Sequence, residues 1–316
     1  MTLWTLDFTD FMDYTMEITI FGLGRMGLQI ARRLHKNNFT VNAWNRSEGP
    51  RKEFEAGGGK AFETVEAAVE ASRGDVRVFW VMLPNDITEN FIFESLLPYL
   101  KAGDVVIDGG NSFYKDSVRR GKTLAEKGIH FFDSGTSGGV WGEENGFALM
   151  VGGPSEQWPV IEPIFKTLSS GKNYGLVGGN GAGHFVKMVH NGIEYGMMQA
   201  IAEGYGVLEE SQFNLNLSQV TQIYQEGSVV RSWLIDLCKN IFDNEDIPNT
   251  SGFINATGEG EWTIKTAKEL GVEVPVIEAS FKVRQESKKA ENQKVFSNKI
   301  VALMRKQFGG HAVEKK

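Results

Sequence analysis

The chain has 316 residues, enough for about two domains that each bury a hydrophobic core. Its 40 acidic and 33 basic residues give a net charge of −7, which argues against nucleic-acid binding because the phosphate backbone would be repelled. Glycine is abundant (37 residues) while proline is scarce (8), so the composition is not that of a disordered or collagen-like chain. The single cysteine, Cys238, permits no intramolecular disulfide, and this predicts a cytoplasmic protein.

The two ends of the chain differ in charge. Residues 1–15 carry three aspartates and no basic residue, unlike the start of a secretory signal, and we predict that they form an extension outside the fold. From Lys282 onward there are ten basic and three acidic residues, typical either of a solvated helix or of an end segment that meets an anion.

No membrane span is expected, since the longest apolar run, 78–83, is far shorter than the roughly 20 residues that a span needs.

Short apolar segments alternate with helical periodicity in the first half of the chain. Strands are predicted at 17–21, 40–44, 76–83, 104–108 and 129–133, with helices between them such as 26–36 and 62–71, and two further strands at 147–151 and 174–177. This alternation predicts a doubly wound parallel sheet. After residue 179 the pattern becomes helical, with segments near 182–210, 217–226, 229–240, 260–270, 276–290 and 293–306. We therefore predict an α/β domain over 16–179 and an all-α domain over 180–316.

A glycine-rich hexamer lies directly between the first predicted strand and the first predicted helix. It consists of Gly22, Leu23, Gly24, Arg25, Met26 and Gly27. In this context G-x-G-x-x-G predicts a Rossmann-type dinucleotide site, with the pyrophosphate at the helix N-terminus; the alternative is a purely structural turn. The second strand is followed by Asn45, Arg46 and Ser47 instead of an acidic residue, which favours NADP over NAD unless Arg46 is only a surface residue.

Polar residues form a stripe on the first long helix of the second half. They are His184, Lys187, His190, Asn191, Glu194 and Tyr195, on a helix that is otherwise mostly apolar. A salt-bridged outer face is the simpler alternative, but such a face would repeat Glu and Lys. A lysine and a glutamate in an apolar cleft become a general base and a general acid. We predict no metal, because His184 and His190 do not share a face.

Two glycine-rich loops follow predicted strands. One is Asp108-Gly109-Gly110-Asn111-Ser112 and the other is Ser134-Gly135-Thr136-Ser137-Gly138-Gly139. Because ligands in open α/β sheets bind beyond the carboxyl ends of the strands, both loops are expected at the nicotinamide end of the cofactor. Their amide and hydroxyl groups suit a polyhydroxy acid.

These segments, with the tail Arg305-Lys-Gln-Phe-Gly-Gly-His311, resemble the decarboxylating 6-phosphogluconate dehydrogenases in their shorter form, within the β-hydroxyacid dehydrogenase superfamily. The resemblance extends from Met16 to about Val313. It implies an enzyme that oxidises 6-phospho-D-gluconate at C3 with NADP, NAD being a possible substitute. It further implies loss of CO2, release of ribulose 5-phosphate, and a homodimer or larger assembly.

The resemblance also implies a role for each matching residue. Lys187 is the expected base and Glu194 the expected acid. The residues expected to bind the sugar acid are Asn111, Ser137, Gly138, Gly139, His190, Asn191, Tyr195, Thr263, Arg284, Arg305 and His311, the last two lying in a tail that the family inserts into the neighbouring subunit's site. Met82, Leu83, Pro84 and Asn111 join the expected cofactor-binding residues.

The chain departs from the family pattern at Glu261, where a basic residue usually precedes Trp-Thr. An acid beside a phosphate dianion is strongly unfavourable unless it is screened or turned away. Glu261 therefore either points elsewhere or indicates an unphosphorylated or otherwise modified aldonate. Two further alternatives are a dehydrogenase of another 3-hydroxy acid that releases no CO2 and a dinucleotide-binding sensor without turnover, although a sensor would need neither Lys187 nor Glu194.

Overall fold

The computed structural model describes residues 16–255 and 258–314, which divide into two compact units. The first unit comprises the described residues up to Ser137 together with Gly142–His184. The second comprises Gly138–Trp141 together with the described residues from Phe185 onward. The division thus follows His184, whereas the sequence suggested a boundary after residue 179. The extension expected at 1–15 lies outside the described residues.

The first unit contains an eight-stranded, mostly parallel sheet, which confirms the predicted Rossmann-type fold. The strands lie in the order β3-β2-β1-β4-β5-β6-β7-β8, and only the β6–β7 pair is antiparallel. Their bounds are Glu17–Phe21 (β1), Thr40–Trp44 (β2), Lys60–Phe62 (β3), Val78–Val81 (β4), Val105–Asp108 (β5), His130–Ser137 (β6), Ala148–Gly152 (β7) and Tyr174–Gly178 (β8).

Both faces of this sheet are covered. Successive residues of its central strands point to opposite faces, and they are buried in two different hydrophobic clusters. Along β4, Trp80 belongs to one cluster and its neighbours Phe79 and Val81 to the other, and all three are fully buried. The helices are Arg25–Lys36 (α1), Glu48–Ala56 (α2), Val65–Glu70 (α3), Asn85–Asn90 (α4), Tyr114–Ala125 (α5), Gly142–Asn145 (α6) and Trp158–Leu168 (α7).

The remaining helices confirm the predicted all-α C-terminal region: beyond Gly178 the described residues form no strand. Their bounds are Ala182–Glu209 (α8), Leu217–Gln225 (α9), Trp233–Asn244 (α10), Glu259–Leu270 (α11), Pro275–Glu286 (α12) and Phe296–Gly309 (α13). The core of the second unit includes residues of α8, α10 and α13, such as Met198, Ile241 and Leu303. Cys238 is fully buried there, and burial raises the pKa of its thiol to about 12.

Three details of the sheet domain differ from the sequence prediction. The strand predicted at 129–133 extends to Ser137, so residues 134–137 pair with β7 and are not part of a loop. The short edge strand β3 was not predicted, because a three-residue strand at a sheet edge carries too little apolar periodicity to be distinguished from a loop. The helix expected over 62–71 is shorter, since Phe62 ends β3 and Thr64 caps α3 by accepting a hydrogen bond from Ala67 N. None of the helices in 16–255 and 258–314 is both long and apolar enough to cross a membrane.

The start of α8 is held by the buried carboxylate of Asp133, on β6. Asp133 Oδ1 accepts a hydrogen bond from Gly181 N (2.6 Å), and Oδ2 accepts one from His184 N (2.8 Å). The backbone approaches closely here as well, because a Cβ added at Gly183 would lie 2.4 Å from the Asp133 carbonyl oxygen. Burial raises the pKa of Asp133, while these two amides and His184 favour the charged form. Asp133 therefore acts as a long-range cap for α8.

Replacing Asp133 with alanine is expected to lower the free energy of unfolding by about 2 to 4 kcal/mol, because two buried backbone amides lose a charged acceptor. Urea unfolding followed by circular dichroism measures this change. Asp75→Ala, at an exposed loop position, is the control and is expected to change the unfolding free energy by less than about 0.5 kcal/mol. A loss below about 1 kcal/mol for Asp133→Ala would contradict the capping role.

Candidate active site

The turn between β1 and α1 brings the ends of three strands together. Gly22 N donates to Trp44 O (2.8 Å), at the end of β2, and Met82 N donates to Phe21 O (2.8 Å). Gly22 has φ +102°, and a Cβ at this position would lie 2.4 Å from the Met82 carbonyl oxygen. Only glycine fits this conformation at such close packing.

The other two glycines of the hexamer have different surroundings. A Cβ added at Gly27 would lie 1.9 Å from the Gly22 carbonyl oxygen, so Gly27 permits α1 to pack against the turn. A Cβ added at Gly24 would have no atom within 4 Å. Gly24 is the N-cap of α1, whose first residues, Arg25 and Met26, include no acid. The helix N-terminus is therefore open to an anion, as binding of a dinucleotide pyrophosphate requires.

The loop after β2 is tied to this turn by Asn45. Its Oδ1 accepts a hydrogen bond from Leu23 N (3.0 Å), and its Nδ2 donates to Ser47 O (3.1 Å). Arg46 is exposed, whereas Arg51 folds back and donates to the carbonyl oxygens of Asn45 (2.7 Å) and Arg46 (3.3 Å). Arg51 was not singled out from the sequence, because a side chain that supports a loop backbone leaves no local motif.

The loops after β4 and β5 also lie against each other. Met82 and Leu83 follow β4, and Pro84 is the N-cap of α4. A Cβ added at Gly110 would lie 2.6 Å from the Leu83 carbonyl oxygen, so the loop that carries the exposed Asn111 passes directly over this segment. The first unit thus collects the predicted cofactor-binding residues at the carboxyl ends of β1, β2, β4 and β5, where a dinucleotide fits this fold.

In the second unit, α8 groups Lys187, His190, Asn191 and Glu194. Lys187 Nζ lies 3.3 Å from His190 Nδ1, and Nδ1 lies 3.0 Å from Asn191 Oδ1 and 3.8 Å from Glu194 Oε2. His184, which the helical spacing put in the same stripe, belongs to the first unit. There it is buried, with Nδ1 2.7 Å from Ser117 Oγ.

Burial controls the protonation of this group. Desolvation lowers the pKa of Lys187, and the negative charges of Glu194 and Glu259 oppose this only in part. Desolvation and the charge of Lys187 also lower the pKa of His190, against the opposing effects of Asn191 and Glu194. In the tautomer with its proton on Nδ1, His190 can donate to Asn191 Oδ1, and both lowered pKa values favour the neutral forms of the imidazole and of the neighbouring amine. The amine is therefore suited to accept a proton.

Next to this group, an arginine stacks on a tyrosine ring. Arg284 Cζ lies 3.2 Å from the centre of the Tyr195 ring, and a Cβ added at Gly260 would lie 2.6 Å from the same ring. Both side chains are buried, and neither Tyr195 Oη nor Arg284 Nη2 has a hydrogen-bond partner among residues 16–255 and 258–314. A buried donor of this kind needs an acceptor, which an ordered water or a bound ligand can supply.

Arg305, on α13, adds a second buried guanidinium. Burial lowers its pKa, whereas the negative charges of Glu194 and Glu259 raise it. Burial and the positive charge of Arg305 likewise lower the pKa of Arg284, to about 10, although Tyr195 and the two glutamates oppose this. The two arginines are therefore close enough to repel each other, and an anion bound beside them would relieve that repulsion.

The end of α13 packs within the second unit of its own chain. Arg305 is only 5% exposed and belongs to its own chain's cluster. Phe308 O occupies the space that a side chain at Gly139 would need, and Trp141 Nε1 donates to Gln307 O (3.3 Å). These contacts lie within one chain, and the insertion of Arg305 and His311 into a neighbouring subunit's site stays a prediction. His311 follows the end of α13 and is partly exposed.

The remaining predicted substrate residues have structural contacts of their own. Thr263 Oγ1 lies 2.8 Å from Met188 O and 2.9 Å from Glu259 O, so its proton is shared with backbone carbonyls and the hydroxyl joins α11 to α8. Ser137 ends β6 in the first unit. Gly138 and Gly139, in the second unit, both have positive φ. Their roles in binding substrate stay predictions.

The acidic residues before Trp262 separate into one exposed and one buried side chain. Glu261 is exposed, whereas Glu259 is only 3% exposed. Residues two apart on a helix differ by about 200° in direction, so the two acids of α11 cannot face the same way. Glu261 is thus turned to solvent, and Glu259 is the acid whose charge acts on Lys187, Arg284 and Arg305. The two acids can be told apart only once the orientation of α11 is known.

A dinucleotide-binding turn on a Rossmann-type sheet, in a chain that also carries a desolvated lysine beside a histidine and a glutamate, defines an NAD(P)-dependent oxidoreductase. Within the described residues no group of three or more His, Cys, Asp or Glu side chains is placed to hold a metal ion. A family model for the NAD-binding domain of 6-phosphogluconate dehydrogenase matches residues 17–178, and a model for the C-terminal domain of the same enzyme matches 183–315. The chain belongs to the 6-phosphogluconate dehydrogenase family.

Individual relatives agree with this assignment. YqeC of Bacillus subtilis, which is named as a candidate 6-phosphogluconate dehydrogenase, is 39% identical over 302 residues, covering 95% of this chain and 100% of the relative. The NAD(+)-dependent, decarboxylating 6-phosphogluconate dehydrogenase of Haloferax volcanii is 36% identical over 304 residues, with 95% and 99% covered. The solved 6-phosphogluconate dehydrogenase of Plasmodium falciparum, described with NADP+ and with 6-phosphogluconate, has a TM-score of 0.80 and 28% identity. The match covers 86% of this chain and 62% of that structure.

Alanine at Gly24 is expected to weaken NADP binding about tenfold or more without changing the melting temperature, because its Cβ meets open space in the free protein and the pyrophosphate in the complex. Fluorescence titration with NADP and a thermal melt measure the two quantities. Gly27→Ala is the matched comparison: its Cβ meets the Gly22 carbonyl, so both stability and binding are expected to fall. Wild-type affinity in Gly24→Ala would contradict the placement of the pyrophosphate.

Proposed function

We propose that the protein catalyses the oxidative decarboxylation of 6-phospho-D-gluconate to D-ribulose 5-phosphate and CO2, with reduction of NADP. The observation that carries this proposal is the buried pair of unpartnered donors, Tyr195 Oη and Arg284 Nη2, in the same helical unit as a desolvated Lys187. The donors suit an anionic group at one end of a substrate, and the lysine suits a hydroxyl that must lose its proton. Membership of the family supports the same substrate class.

The phosphate is assigned to Arg284 and Arg305. Two buried guanidiniums that repel each other are stabilised when a dianion lies beside them, and charge-assisted hydrogen bonds from arginine to phosphate are strong. The main objection to a phosphorylated substrate was repulsion between Glu261 and the phosphate. Glu261 is exposed, whereas the two arginines are buried, so its carboxylate is not part of the arginine cluster. The buried Glu259 offsets part of the positive charge of the cluster before the substrate binds.

Lys187 is the proposed general base. Its lowered pKa keeps a larger fraction of the amine neutral near pH 7 than an exposed lysine would have, so it can accept the proton of the C3 hydroxyl. NADP, when bound, accepts the hydride that leaves C3. The Lys187 ammonium then donates a hydrogen bond to the new C3 carbonyl oxygen. His190 and Asn191, which lie beside it on α8, hold the substrate's carboxylate and hydroxyls.

The next step breaks the bond between C1 and C2 and releases CO2. The electron pair of this bond forms the C2–C3 double bond of an enediol, and Lys187 returns its proton to the oxygen on C3. Glu194 is the proposed acid that protonates the former C2 carbon, while the neutral Lys187 amine takes the proton of the C3 hydroxyl, which becomes the ketone. A carbonyl polarised by an ammonium group is sufficient for loss of CO2 from a β-keto acid, so the proposal needs no metal ion.

The preference for NADP rests on the loop after β2. The exposed Arg46 can approach a 2′-phosphate, while Arg51 and Asn45 hold the backbone of the same loop. The three residues directly after β2, Asn45, Arg46 and Ser47, include no carboxylate to accept the 2′-hydroxyl of NAD. The next residue, Glu48, begins α2 and pairs with Lys52 (2.7 Å).

We also propose that the enzyme acts as a cytoplasmic homodimer or larger assembly. Support for self-association comes from α8, where Val186, Ile193 and Met197 are 36%, 54% and 42% exposed. Their spacing puts them in one stripe of the helix. Val276, on α12, is 66% exposed, and its side chain lies next to Gly196 of α8. Apolar side chains exposed in this way are typical of a subunit interface.

The purified protein is expected to reduce NADP with 6-phosphogluconate and to release one CO2 per NADPH formed. The kcat/KM for gluconate is expected to be at least about 100-fold below that for 6-phosphogluconate, because gluconate has no phosphate to accept hydrogen bonds from Arg284 and Arg305. Absorbance at the NADPH band and trapping of CO2 from labelled substrate measure both products. Lys187→Met is expected to lose about 1,000-fold in kcat, since it cannot accept the hydroxyl proton.

Lys265→Met, at an exposed position of α11, is the matched control and is expected to retain wild-type kcat. Equal kcat/KM for gluconate and 6-phosphogluconate would discard the phosphate assignment in favour of an unphosphorylated aldonate. NADPH formation without CO2 would indicate a simple 3-hydroxy acid dehydrogenase. Dinucleotide binding without turnover of either substrate would support a sensor.

The cofactor assignment predicts that kcat/KM for NADP exceeds that for NAD by at least tenfold. Arg46→Ala is expected to lower kcat/KM for NADP by about 10- to 100-fold, because the 2′-phosphate loses charge-assisted hydrogen bonds. NAD lacks this phosphate and is the internal control, with an expected change of less than about twofold. A preference of tenfold or more for NAD in the wild-type enzyme would overturn the assignment.

A further inference from the structure

The sheet domain contains a buried arginine to which the proposed reaction assigns no role. Arg120, on α5, has a side chain only 1% exposed. Its Nη1 donates to Asp108 Oδ2 (2.8 Å) and to Ser112 Oγ (3.1 Å), and its Nε donates to Glu89 Oε2 (2.8 Å). Asp108 is fully buried and Ser112 is 3% exposed. The guanidinium thus bridges two carboxylates in a place that is largely closed to water.

Such an arrangement is not needed merely to pack a helix against a sheet. Replacing buried ion pairs with apolar side chains of similar size is often neutral or stabilising, so a retained buried charge calls for another explanation. The planar guanidinium of arginine can donate in two directions at once, which a lysine ammonium on its flexible stem does less well. Here the two directions lead to two different loops.

The first loop is the one that carries Asn111. Asp108 ends β5, and its carboxylate also accepts hydrogen bonds from Gly110 N at Oδ1 (3.1 Å) and from Ser112 Oγ at Oδ2 (2.8 Å). The loop from Gly109 to Ser112 therefore wraps around the Asp108 side chain. Arg120 holds that side chain from the opposite direction, so the position of Asn111 depends on a carboxylate whose own position depends on Arg120.

The second loop is the one between β4 and α4. Glu89 lies on α4, one turn after its N-cap, Pro84. Burial opposes ionisation of Glu89, but hydrogen bonds from Arg120 and Arg119 outweigh it and hold its pKa below the usual value. The two loops already touch, since a Cβ added at Gly110 would lie 2.6 Å from the Leu83 carbonyl oxygen. Arg120 therefore joins the element after the Met82–Pro84 segment to the loop that carries Asn111.

We propose that Arg120 is a positioning residue, which fixes Asn111 relative to the Met82–Pro84 segment so that the substrate's C3 is aligned with the nicotinamide. This inference rests on the proposed function, because it takes Asn111 to bind the sugar acid and the Met82–Pro84 segment to bind the cofactor. Arg120 touches neither reactant and acts through Asp108 and Glu89.

The test compares Arg120→Lys with Arg119→Lys. Arg119 is a matched control, because its Nη2 bonds the same Glu89 oxygen (2.9 Å) but its side chain is 55% exposed and makes no bond to the Asn111 loop that the structure shows. Arg120→Lys is expected to lower kcat for 6-phosphogluconate by about 10- to 100-fold, as misplacement of a reactant by about 1 Å does. The Kd for NADP, measured by fluorescence titration, is expected to change less than kcat does, because the turn at 22–27 that would hold the pyrophosphate makes no hydrogen bond to Arg120.

Two further readouts separate alignment from mere stability. With substrate deuterated at C3, Arg120→Lys is expected to show a larger isotope effect on kcat/KM, because hydride transfer becomes more rate-limiting. Hydrogen exchange measured by mass spectrometry is expected to speed up in the peptide that contains Gly109–Ser112, with Arg119→Lys at the wild-type rate. A folding defect alone would lower the active fraction without changing the isotope effect.

Wild-type kcat and wild-type exchange at Gly109–Ser112 in Arg120→Lys would overturn the proposal, as would equal effects of the two lysine variants. Should Arg120→Lys not fold, Ser112→Ala removes the hydrogen bonds of Ser112 Oγ to Asp108 and from Arg120, and it is expected to lower kcat about 3- to 10-fold with faster exchange in the same peptide. Wild-type values for that variant would then overturn the proposal. If the wild-type enzyme does not oxidise 6-phosphogluconate, the proposed function fails, whereas the exchange comparison still decides whether Arg120 orders the loop.

Discussion

The cost of removing charged side chains from water is the constraint on which both functional regions depend. In the sheet domain the buried charges are matched within the protein: Arg120 has two carboxylates, and the Asp133 carboxylate has two backbone amides. In the helical unit the matching is incomplete, because Arg284 keeps a buried donor without a partner among the described residues. A balanced cluster holds backbone in place, whereas an unbalanced one gains stability from a ligand of opposite charge.

The same constraint explains why α8 combines polar and apolar residues. Desolvation lowers the pKa values of Lys187 and His190, and the proposed role of Lys187 as a base depends on this. An exposed helix with the same residues would hold a protonated lysine and an ordinary histidine. Position on the helix is therefore as important as residue type. His184 illustrates this, since one turn before Lys187 it is a buried partner of Ser117 in the sheet domain.

Much of the fold and part of the site were predictable from local pattern. The strands at 17–21 and 40–44 were predicted with the bounds that the structure has, because continuous apolar runs between glycines and polar turns mark buried parallel strands. The residues that sequence reasoning missed act through long-range contacts. The buried Glu259 and the exposed Glu261 cannot be distinguished until the orientation of α11 is known. The role proposed for Arg120 depends on its contact with Glu89, which lies 31 residues away in the chain.

The chemistry of Cys238 has a practical consequence. Because the Cys238 side chain is fully buried and burial raises the pKa of its thiol to about 12, the thiolate that alkylating reagents attack is scarce near neutral pH in the native protein. The chain is therefore a nearly unreactive background for thiol-directed spectroscopy. A cysteine introduced on an exposed surface would carry a fluorophore or spin label at one known place, and loop motion during turnover would become observable without first removing the native residue.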